Sequence, residues 1–238
     1  MIKAIIFDLD DTLAPEKLFV KSGYKAVASY LADTALKGVG ADEIETSLWK
    51  LFLEDSRQVF NRLYEKYDMP YDIADIKALV KIYREHRPDE SVYRYYEDTF
   101  VTLVSLKEQG YRLGILSDGF LVSQENKLKA LGIRKGADFI FDEIILTDEY
   151  GEDYRKPSKK GFELLAKRLL LEPSELLYVG DNPAKDFYVK TQLPVRTVRI
   201  KREDGVYLDT EYREGVREDA VISSLEELSG MFCDSEVM

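Results

Sequence analysis

The sequence is poor in the residues on which several common kinds of site depend. Its 238 residues include one cysteine, Cys233, and one histidine, His86. A single cysteine excludes an internal disulfide and cysteine-rich zinc clusters, so we expect the chain to work in a reducing compartment, the cytoplasm. A single histidine excludes histidine-based metal sites. Acid–base and metal chemistry must therefore come from carboxylates, lysines and backbone groups.

Long apolar runs and basic blocks are also missing. No apolar stretch reaches the length of a membrane span, so we expect no membrane partner. The formal net charge of −11 is not offset by any basic block, which argues against nucleic acid as a partner. A small phosphorylated substrate is compatible with this charge, because a divalent cation and a few basic groups can reverse the field inside one cleft. The oligomeric state stays open.

Alternating strand and helix patterns predict an α/β protein. Short apolar runs rich in β-branched residues predict strands at 2–7, 111–116, 138–145, 176–181 and 196–200. Helical spacing of apolar residues predicts helices near 98–109, 120–131, 158–170 and 184–191. This alternation is typical of a Rossmann-like parallel sheet with helices on both faces. The charge-rich stretch 201–219 is predicted to be an exposed loop or a short hairpin.

A helical segment interrupts the alternation directly after the first strand. Apolar residues recur there at helical spacing, as in the stripe Ile73, Ile76, Leu79, Val80 and Tyr83, which ends before Pro88. We therefore predict a core made of residues 1–14 and 91–238, with a helical insertion of residues 15–90. On this insertion, His86 is predicted to be a packing or surface residue rather than a catalyst.

Residues able to do chemistry collect where the predicted strands end. In open α/β sheets, ligands bind beyond the carboxyl ends of the strands. The residues at such positions are Asp8, Asp10, Asp11 and Thr12 after the first strand, Ser117, Asp118 and Gly119 after the second, Lys156 before a helix, and Asp181 with Asp186 after LLYVG. Carboxylates and a lysine, without useful histidine or cysteine, suit a hard, oxygen-liganded cation such as Mg²⁺.

Several of these residues also have an ordinary structural interpretation. Thr12 and Ser117 are acceptable helix caps, and Lys156 could be a solvated lysine beside a helix that starts at Pro157. Asp186 could be an acidic residue in the first turn of a helix. Their ordered positions behind strand ends favour a functional interpretation, above all for Asp8, Asp10, Lys156 and Asp181.

The run Asp8-Leu9-Asp10-Asp11-Thr12 matches the DxDx[TV] motif of the haloacid dehalogenase-like hydrolase superfamily. Ser117, Lys156 and Gly180-Asp181 with Asp186 resemble its second, third and fourth motifs, in the expected order. The helical insertion resembles the C1-type cap of that superfamily. The resemblance implies a Mg²⁺-dependent phosphomonoester hydrolase that acts on a small phosphorylated metabolite through an aspartyl-phosphate intermediate.

The resemblance also implies catalytic roles. Asp8 is the nucleophile that attacks phosphorus. Asp10 protonates the leaving oxygen and then activates water to hydrolyse the intermediate. Lys156 neutralises the phosphate and holds Asp8 in place. Asp11 is expected to be a bystander that caps the following turn.

The binding roles follow from the same resemblance. The implied Mg²⁺ ligands are the Asp8 carboxylate, the Asp10 backbone carbonyl and Asp181, with Asp186 acting through water or as an anchor. The residues implied to bind the substrate are Thr12, Ser117, Asp118 and Gly119. The cap is expected to supply specificity, and Lys17, Lys21, Tyr24 and the hinge region Tyr93–Tyr96 are its cleft candidates, but no pattern among them selects a particular ester.

Four rival interpretations differ in what they require. A 2-haloacid dehalogenase of the same superfamily attacks carbon without a metal and lacks the second aspartate of the motif, whereas Asp10 and the pair Asp181 and Asp186 are present here. A sugar-phosphate mutase of the superfamily keeps the same residues and stays open. A regulatory receiver-like module is disfavoured, because the nucleophile is on the first strand and a large insertion follows it. A catalytically silent relative is disfavoured because no chemical residue is missing.

Overall fold

The computed structural model describes residues 1–136 and 138–231, so Cys233 lies outside the described residues. Six strands form one sheet with the order β3-β2-β1-β4-β5-β6, and every described pair of neighbouring strands is parallel. The strands are β1 Ala4–Phe7, β2 Arg112–Ser117, β3 Glu143–Leu146, β4 Leu176–Gly180, β5 Arg196–Ile200 and β6 Ala220–Ile222. The predicted Rossmann-like α/β fold is confirmed.

Helices cover both faces of the sheet. They are α1 Glu16–Asp33, α2 Ala41–Glu54, α3 Val59–Lys66, α4 Ile73–Glu85, α5 Thr99–Glu108, α6 Leu121–Ala130, α7 Lys160–Arg168 and α8 Leu228–Met231. Successive strand residues point to opposite faces, so Ile5 and Phe7 join one apolar cluster with residues of α5, α6 and α8, while Ile6 joins another with residues of α7. None of the described helices is both long and apolar enough to cross a membrane.

Helices α1 to α4 form the inserted cap between β1 and α5. They share an apolar cluster of their own, in which Val27, Leu31, Ile44 and Leu48 are almost completely buried. His86 follows α4 and is also buried: its ring centroid lies 4.4 Å from that of Phe19. The histidine is therefore a packing residue at the base of the cap. The exact domain limits at residues 15 and 90 stay a prediction.

Two predicted elements are shorter than the sequence pattern suggested. The strand predicted at 138–145 begins only at Glu143, because the Asp138 side chain accepts hydrogen bonds from the backbone N–H groups of Ile140 and Phe141 at 2.8 and 3.0 Å. The helix predicted at 184–191 is reduced to a 3₁₀ turn, Tyr188–Thr191. Side chains that bond to nearby backbone compete in this way with regular structure.

The stretch 201–219 is a mostly exposed loop, one of the two predicted alternatives, but it is anchored to the core. Arg202 is buried and donates to the carboxylate of Asp98 at 2.7 Å and to the backbone carbonyl of Thr12 at 2.9 Å. The backbone N–H of Val206 donates to Asp11 at 2.7 Å. These bonds fold the stretch onto the end of the sheet that carries the acidic motif. Strand β6 follows it and was not predicted, since three residues are too few for a clear pattern.

Candidate active site

Asp8 and Lys156 meet at the carboxyl edge of the sheet. Asp8 directly follows β1, and Lys156 lies in the loop between β3 and α7. The Lys156 Nζ is 2.9 Å from a carboxylate oxygen of Asp8 and 3.0 Å from one of Asp186, and the lysine side chain is fully buried. It also donates to the phenolic oxygen of Tyr178 on β4 at 2.6 Å. The predicted pairing of Lys156 with Asp8 is thus present in the structure.

This ion-paired arrangement sets the protonation of both groups. Burial would raise the pKa of Asp8, but the charges of Lys156 and Lys185 outweigh it and hold that pKa below its ordinary value. Burial would lower the pKa of Lys156, but Asp186 and Asp8 outweigh it and hold that pKa well above its ordinary value. Asp8 is therefore a carboxylate, and Lys156 an ammonium, at neutral pH.

Three buried carboxylates form a group that suits a hard cation. Asp8, Asp181 and Asp186 each offer one oxygen, and these oxygens lie within 4.8 Å of one another. Burial, followed by the charges of Asp186 and Asp8, raises the pKa of Asp181 well above its ordinary value. Its Oδ2 atom is buried and has no hydrogen-bond partner among the described residues. A carboxylate oxygen in this position needs a cation, so these residues fit Mg²⁺.

Gly180, directly before Asp181, leaves room for the Asp186 carboxylate to lie close to the backbone. A Cβ atom at Gly180 would lie 2.5 Å from Oδ2 of Asp186, so a glycine is required there. Asp186 in turn accepts the backbone N–H of Asn182 at 2.8 Å. The glycine and this bond keep the Asp186 carboxylate close to that of Asp181.

Asp10 is held by two residues that sequence reasoning missed. The Lys127 Nζ lies 2.7 and 2.6 Å from the two carboxylate oxygens of Asp10, and the lysine is almost fully buried. Gln124 Nε2 donates to the same carboxylate at 3.2 Å. Both residues lie on α6 three positions apart, on the same face of the helix. Polar residues at i and i+3 on the packed face of α6 were the available signal.

The predicted substrate-binding residues fall into two groups. Asp118 and Gly119 line the cavity above Asp8. Ser117 is buried behind that wall, where its hydroxyl donates to Gln124 at 3.3 Å. Thr12 is also fully buried; its side chain is not part of the cavity wall, and its Oγ1 has no partner among the described residues. The structure therefore brings two of the four to the cavity.

Asp11 has a structural position, as expected of a bystander. Its carboxylate accepts the backbone N–H of Glu16 at 2.9 Å and that of Val206 at 2.7 Å. The Tyr96 hydroxyl donates to it at 3.3 Å. Asp11 thereby ties the start of α1 to the 201–219 stretch.

A cavity of about 540 Å³ opens in front of these residues, between the core and the cap. Asp8, Asp10 and Asp181 lie on its core wall. On the cap wall, Tyr24 is the one cleft candidate named from the sequence that lines it; Lys17 and Lys21 do not. Residues that sequence reasoning missed also line the cavity, notably Glu16, Arg84, Lys127, Lys185 and Tyr207.

Glu16 and Tyr207 both line this cavity, and the surroundings of each raise its pKa. Burial, followed by the charge of Asp10, raises the pKa of Glu16 to about 7. The Glu16 carboxylate, followed by burial, raises the pKa of Tyr207. Tyr207 reaches the site because the 201–219 stretch is anchored at Asp11. No local sequence pattern marks this contact, since the residues are almost 200 positions apart.

Comparison with known proteins agrees with this geometry. A family model described as haloacid dehalogenase-like hydrolase matches residues 2–187. A glyceraldehyde 3-phosphate phosphatase of Methanocaldococcus jannaschii is 33% identical over 96% of both chains, and one of Methanopyrus kandleri is 31% identical over 90% of this chain and 89% of its own. A HAD phosphatase from Thermococcus onnurineus has a similar structure, with a TM-score of 0.63, 26% identity, and coverage of 99% of this chain and 100% of its own. The chain therefore belongs to the haloacid dehalogenase-like hydrolases.

Proposed function

We propose that this chain is a cytoplasmic, Mg²⁺-dependent phosphomonoester hydrolase that works through an aspartyl-phosphate on Asp8. The observation that carries the proposal is the group of three buried carboxylates, Asp8, Asp181 and Asp186, two of which, Asp8 and Asp186, also pair with the buried Lys156. Asp10 lies on the same cavity wall as Asp8 and Asp181. This grouping combines an ionised nucleophile, a cation site and an acid–base carboxyl group.

In the first step, a carboxylate oxygen of Asp8 bonds to phosphorus and the ester oxygen leaves with the bonding electron pair. Asp10 supplies a proton to that oxygen, so an alcohol is released. In the second step, Asp10 takes a proton from water, whose oxygen attacks phosphorus and displaces the Asp8 carboxylate. Lys156 keeps Asp8 ionised and close to the phosphoryl group throughout.

Asp8, Asp181, Asp186 and the Asp10 backbone carbonyl are the groups that would hold Mg²⁺. When bound, the cation offsets the repulsion between the Asp8 carboxylate and an anionic phosphoryl group. The amide N–H of Gly119, which lines the cavity, is proposed to bind a non-bridging phosphate oxygen, while Ser117 supports the wall behind it by donating to Gln124.

The substrate is a small phosphorylated metabolite. The first ester to test is glyceraldehyde 3-phosphate, because relatives that are 28–33% identical carry that activity in their names. A pyrophosphatase of Bacillus velezensis is 29% identical over a smaller share of this chain, 76%.

A panel of phosphate esters tests the proposal, assayed with Mg²⁺ and with EDTA. We expect turnover with Mg²⁺, loss with EDTA, and no turnover by folded Asp8→Asn protein. Full activity in chelator with chloride release from a 2-haloacid would instead identify a dehalogenase. Phosphoryl transfer to a second sugar hydroxyl, without free phosphate, would identify a mutase.

A further inference from the structure

Beyond the proposed phosphate site, few charged side chains line the cavity on its cap wall. On the cap wall it is lined mainly by aromatic and aliphatic side chains, among them Tyr24, Phe52, Phe60, Ile76, Val80 and Tyr83. Ser56, Gln58 and Asn61 add uncharged polar groups to the same wall. Glu16 and Arg84 are the only charged cap residues in the described lining. The leaving group of the substrate must fit among these groups.

The cations of the cavity already have other neighbours. Lys127 is paired with Asp10 at 2.6 Å, and Lys185 Nζ lies 3.7 Å from Asp118. The Arg84 guanidinium lies over the ring of Phe120, 3.3 Å from its centroid. A second anionic group on the substrate would therefore compete with a carboxylate for either lysine, and Arg84, whose in-plane N–H groups stay available when its face stacks on Phe120, is the remaining cation that could bind it.

Glu16, by contrast, is a carboxyl group that forms no salt bridge with any described residue. It is the first residue of α1, and its backbone N–H is fixed to Asp11 at 2.9 Å. Its side chain lines the cavity together with Asp10 and with the Tyr207 phenol. A carboxyl group and a phenol are good hydrogen-bond partners for hydroxyl and carbonyl oxygens, and the carboxylate repels another carboxylate.

We propose that Glu16 selects phosphomonoesters whose leaving alcohol is uncharged and rejects those that carry a second anionic group. This inference rests on the proposed phosphatase function and specifies its substrate class. Glu16 is a specificity-determining residue, and the phenol of Tyr207, which lines the same cavity from the core, is a second group able to hydrogen-bond to the substrate. An aldehyde- or hydroxyl-bearing leaving group fits this class, while a carboxylate or a second phosphoryl group does not.

Matched pairs of esters test the inference. Glyceraldehyde 3-phosphate and 3-phosphoglycerate share a three-carbon skeleton. The first carries an aldehyde where the second carries a carboxylate. Phenyl phosphate and 4-carboxyphenyl phosphate make the same comparison on an aromatic ring. For the wild-type enzyme with Mg²⁺ at pH 8, where Glu16 with its pKa of about 7 is mostly ionised, we expect kcat/KM to favour the uncharged member of each pair by about 30-fold or more, as a like charge in a partly buried site predicts.

The variant Glu16→Gln keeps the size and polarity of the side chain and removes its charge. We expect it to reduce the preference for the uncharged ester about tenfold in both pairs, whatever happens to the overall rate. The matched control is Glu203→Gln, which removes one charge at an exposed position in the same stretch as Tyr207. It should leave the preference unchanged.

Three results would overturn the inference. The first is equal hydrolysis of both members of each pair by the wild type, and the second is an unchanged preference in Glu16→Gln. A selective loss of the carboxylate esters in Arg84→Gln would show that Arg84 binds a second anion, which also contradicts it. All three outcomes leave the phosphatase function intact, whereas hydrolysis of no phosphomonoester at all would refute the proposed function itself.

Discussion

The two walls of the active-site cavity are built from different kinds of interaction. On the core wall, charged side chains are buried and paired with one another: Lys156 with Asp8 at 2.9 Å, and Lys127 with Asp10 at 2.6 Å. On the cap wall, rings pack on rings, as Tyr24 does on Phe60 with centroids 6.1 Å apart. The core wall holds charged groups in the positions that the proposed reaction needs, whereas the packed rings of the cap wall give the cavity its shape. Substitutions on the two walls should therefore fail in different ways.

After loss of the nucleophile Asp8, the largest effect is expected from Asp181→Asn on the core wall. Because the change removes one oxygen anion from the cation site, we expect kcat to fall about 10³-fold at saturating Mg²⁺. The same change removes a charge that burial and two neighbouring carboxylates disfavour, so the melting temperature in EDTA should rise above that of the wild type. Steady-state rates and melting curves with and without Mg²⁺ measure both effects.

The exposed Asp204→Asn substitution is the control for this experiment and should change neither quantity. Normal activation of Asp181→Asn by Mg²⁺ would show that Asp181 does not bind the cation.

A smaller loss of activity is expected from Lys127→Met, which removes the ammonium group that holds the Asp10 carboxylate in its orientation. Alkyl phosphates need a proton on their leaving oxygen, so their kcat/KM should fall about 100-fold. An aryl ester with a good leaving group, such as p-nitrophenyl phosphate, needs less assistance and should lose about tenfold or less. Lys127→Arg should recover part of the alkyl ester activity.

Lys129→Met is the matched control, since it changes an exposed lysine on the same helix. An equal loss on both classes of ester would mean that Lys127 supports the fold rather than the orientation of Asp10.

A pair of glycine substitutions compares the walls directly. In Gly180→Ala, the new Cβ would meet Asp186 at 2.5 Å, so we expect about a tenfold loss of kcat with modest destabilisation. In Gly23→Ala on α1, the new Cβ would meet the Tyr83 ring at 2.6 Å, so we expect about 1–3 kcal/mol of destabilisation from overpacking. Denaturant unfolding and steady-state kinetics on both variants separate the effects. A catalytic defect larger in Gly23→Ala than in Gly180→Ala would contradict the comparison.

The smallest effect concerns His86 at the base of the cap. Burial lowers the pKa of His86 in the folded protein, so the unfolded chain binds a proton more readily. The stability gained from a neutral His86 is complete above the unfolded pKa of about 6.5 and is lost as pH falls through the folded pKa. Between pH 7.5 and 5, the free energy of unfolding should therefore fall more in the wild type than in His86→Gln. Parallel pH profiles of the two proteins would contradict this.

Several elements of the fold could be predicted from local patterns. The strand before Asp8 and the helices α5 and α6 were predicted within a residue or two of their observed limits, because each is an apolar run or stripe bounded by polar residues. Where side chains bond to nearby backbone, as Asp138 does before β3, the apolar pattern predicted too much regular structure. Strand β6 is held by pairing with β5 rather than by any pattern of its own.

The positions of the carboxylates in the proposed active site could be predicted from local sequence order. Asp8 and Asp181 directly follow short buried strands, and the carboxyl ends of parallel strands meet at one edge of a sheet, so their proximity followed from local order alone. The role that each of these residues has in the reaction is still a prediction for the experiments above.

Only the tertiary structure decided which residues accompany those carboxylates. Lys127 reaches Asp10 across 117 positions of sequence, and Arg202 reaches the backbone of Thr12 across 190. Tyr207 enters the cavity because Val206 is bonded to Asp11. Such contacts depend on how helices and loops pack onto the sheet, and packing leaves no periodic signal in the residues that it brings together.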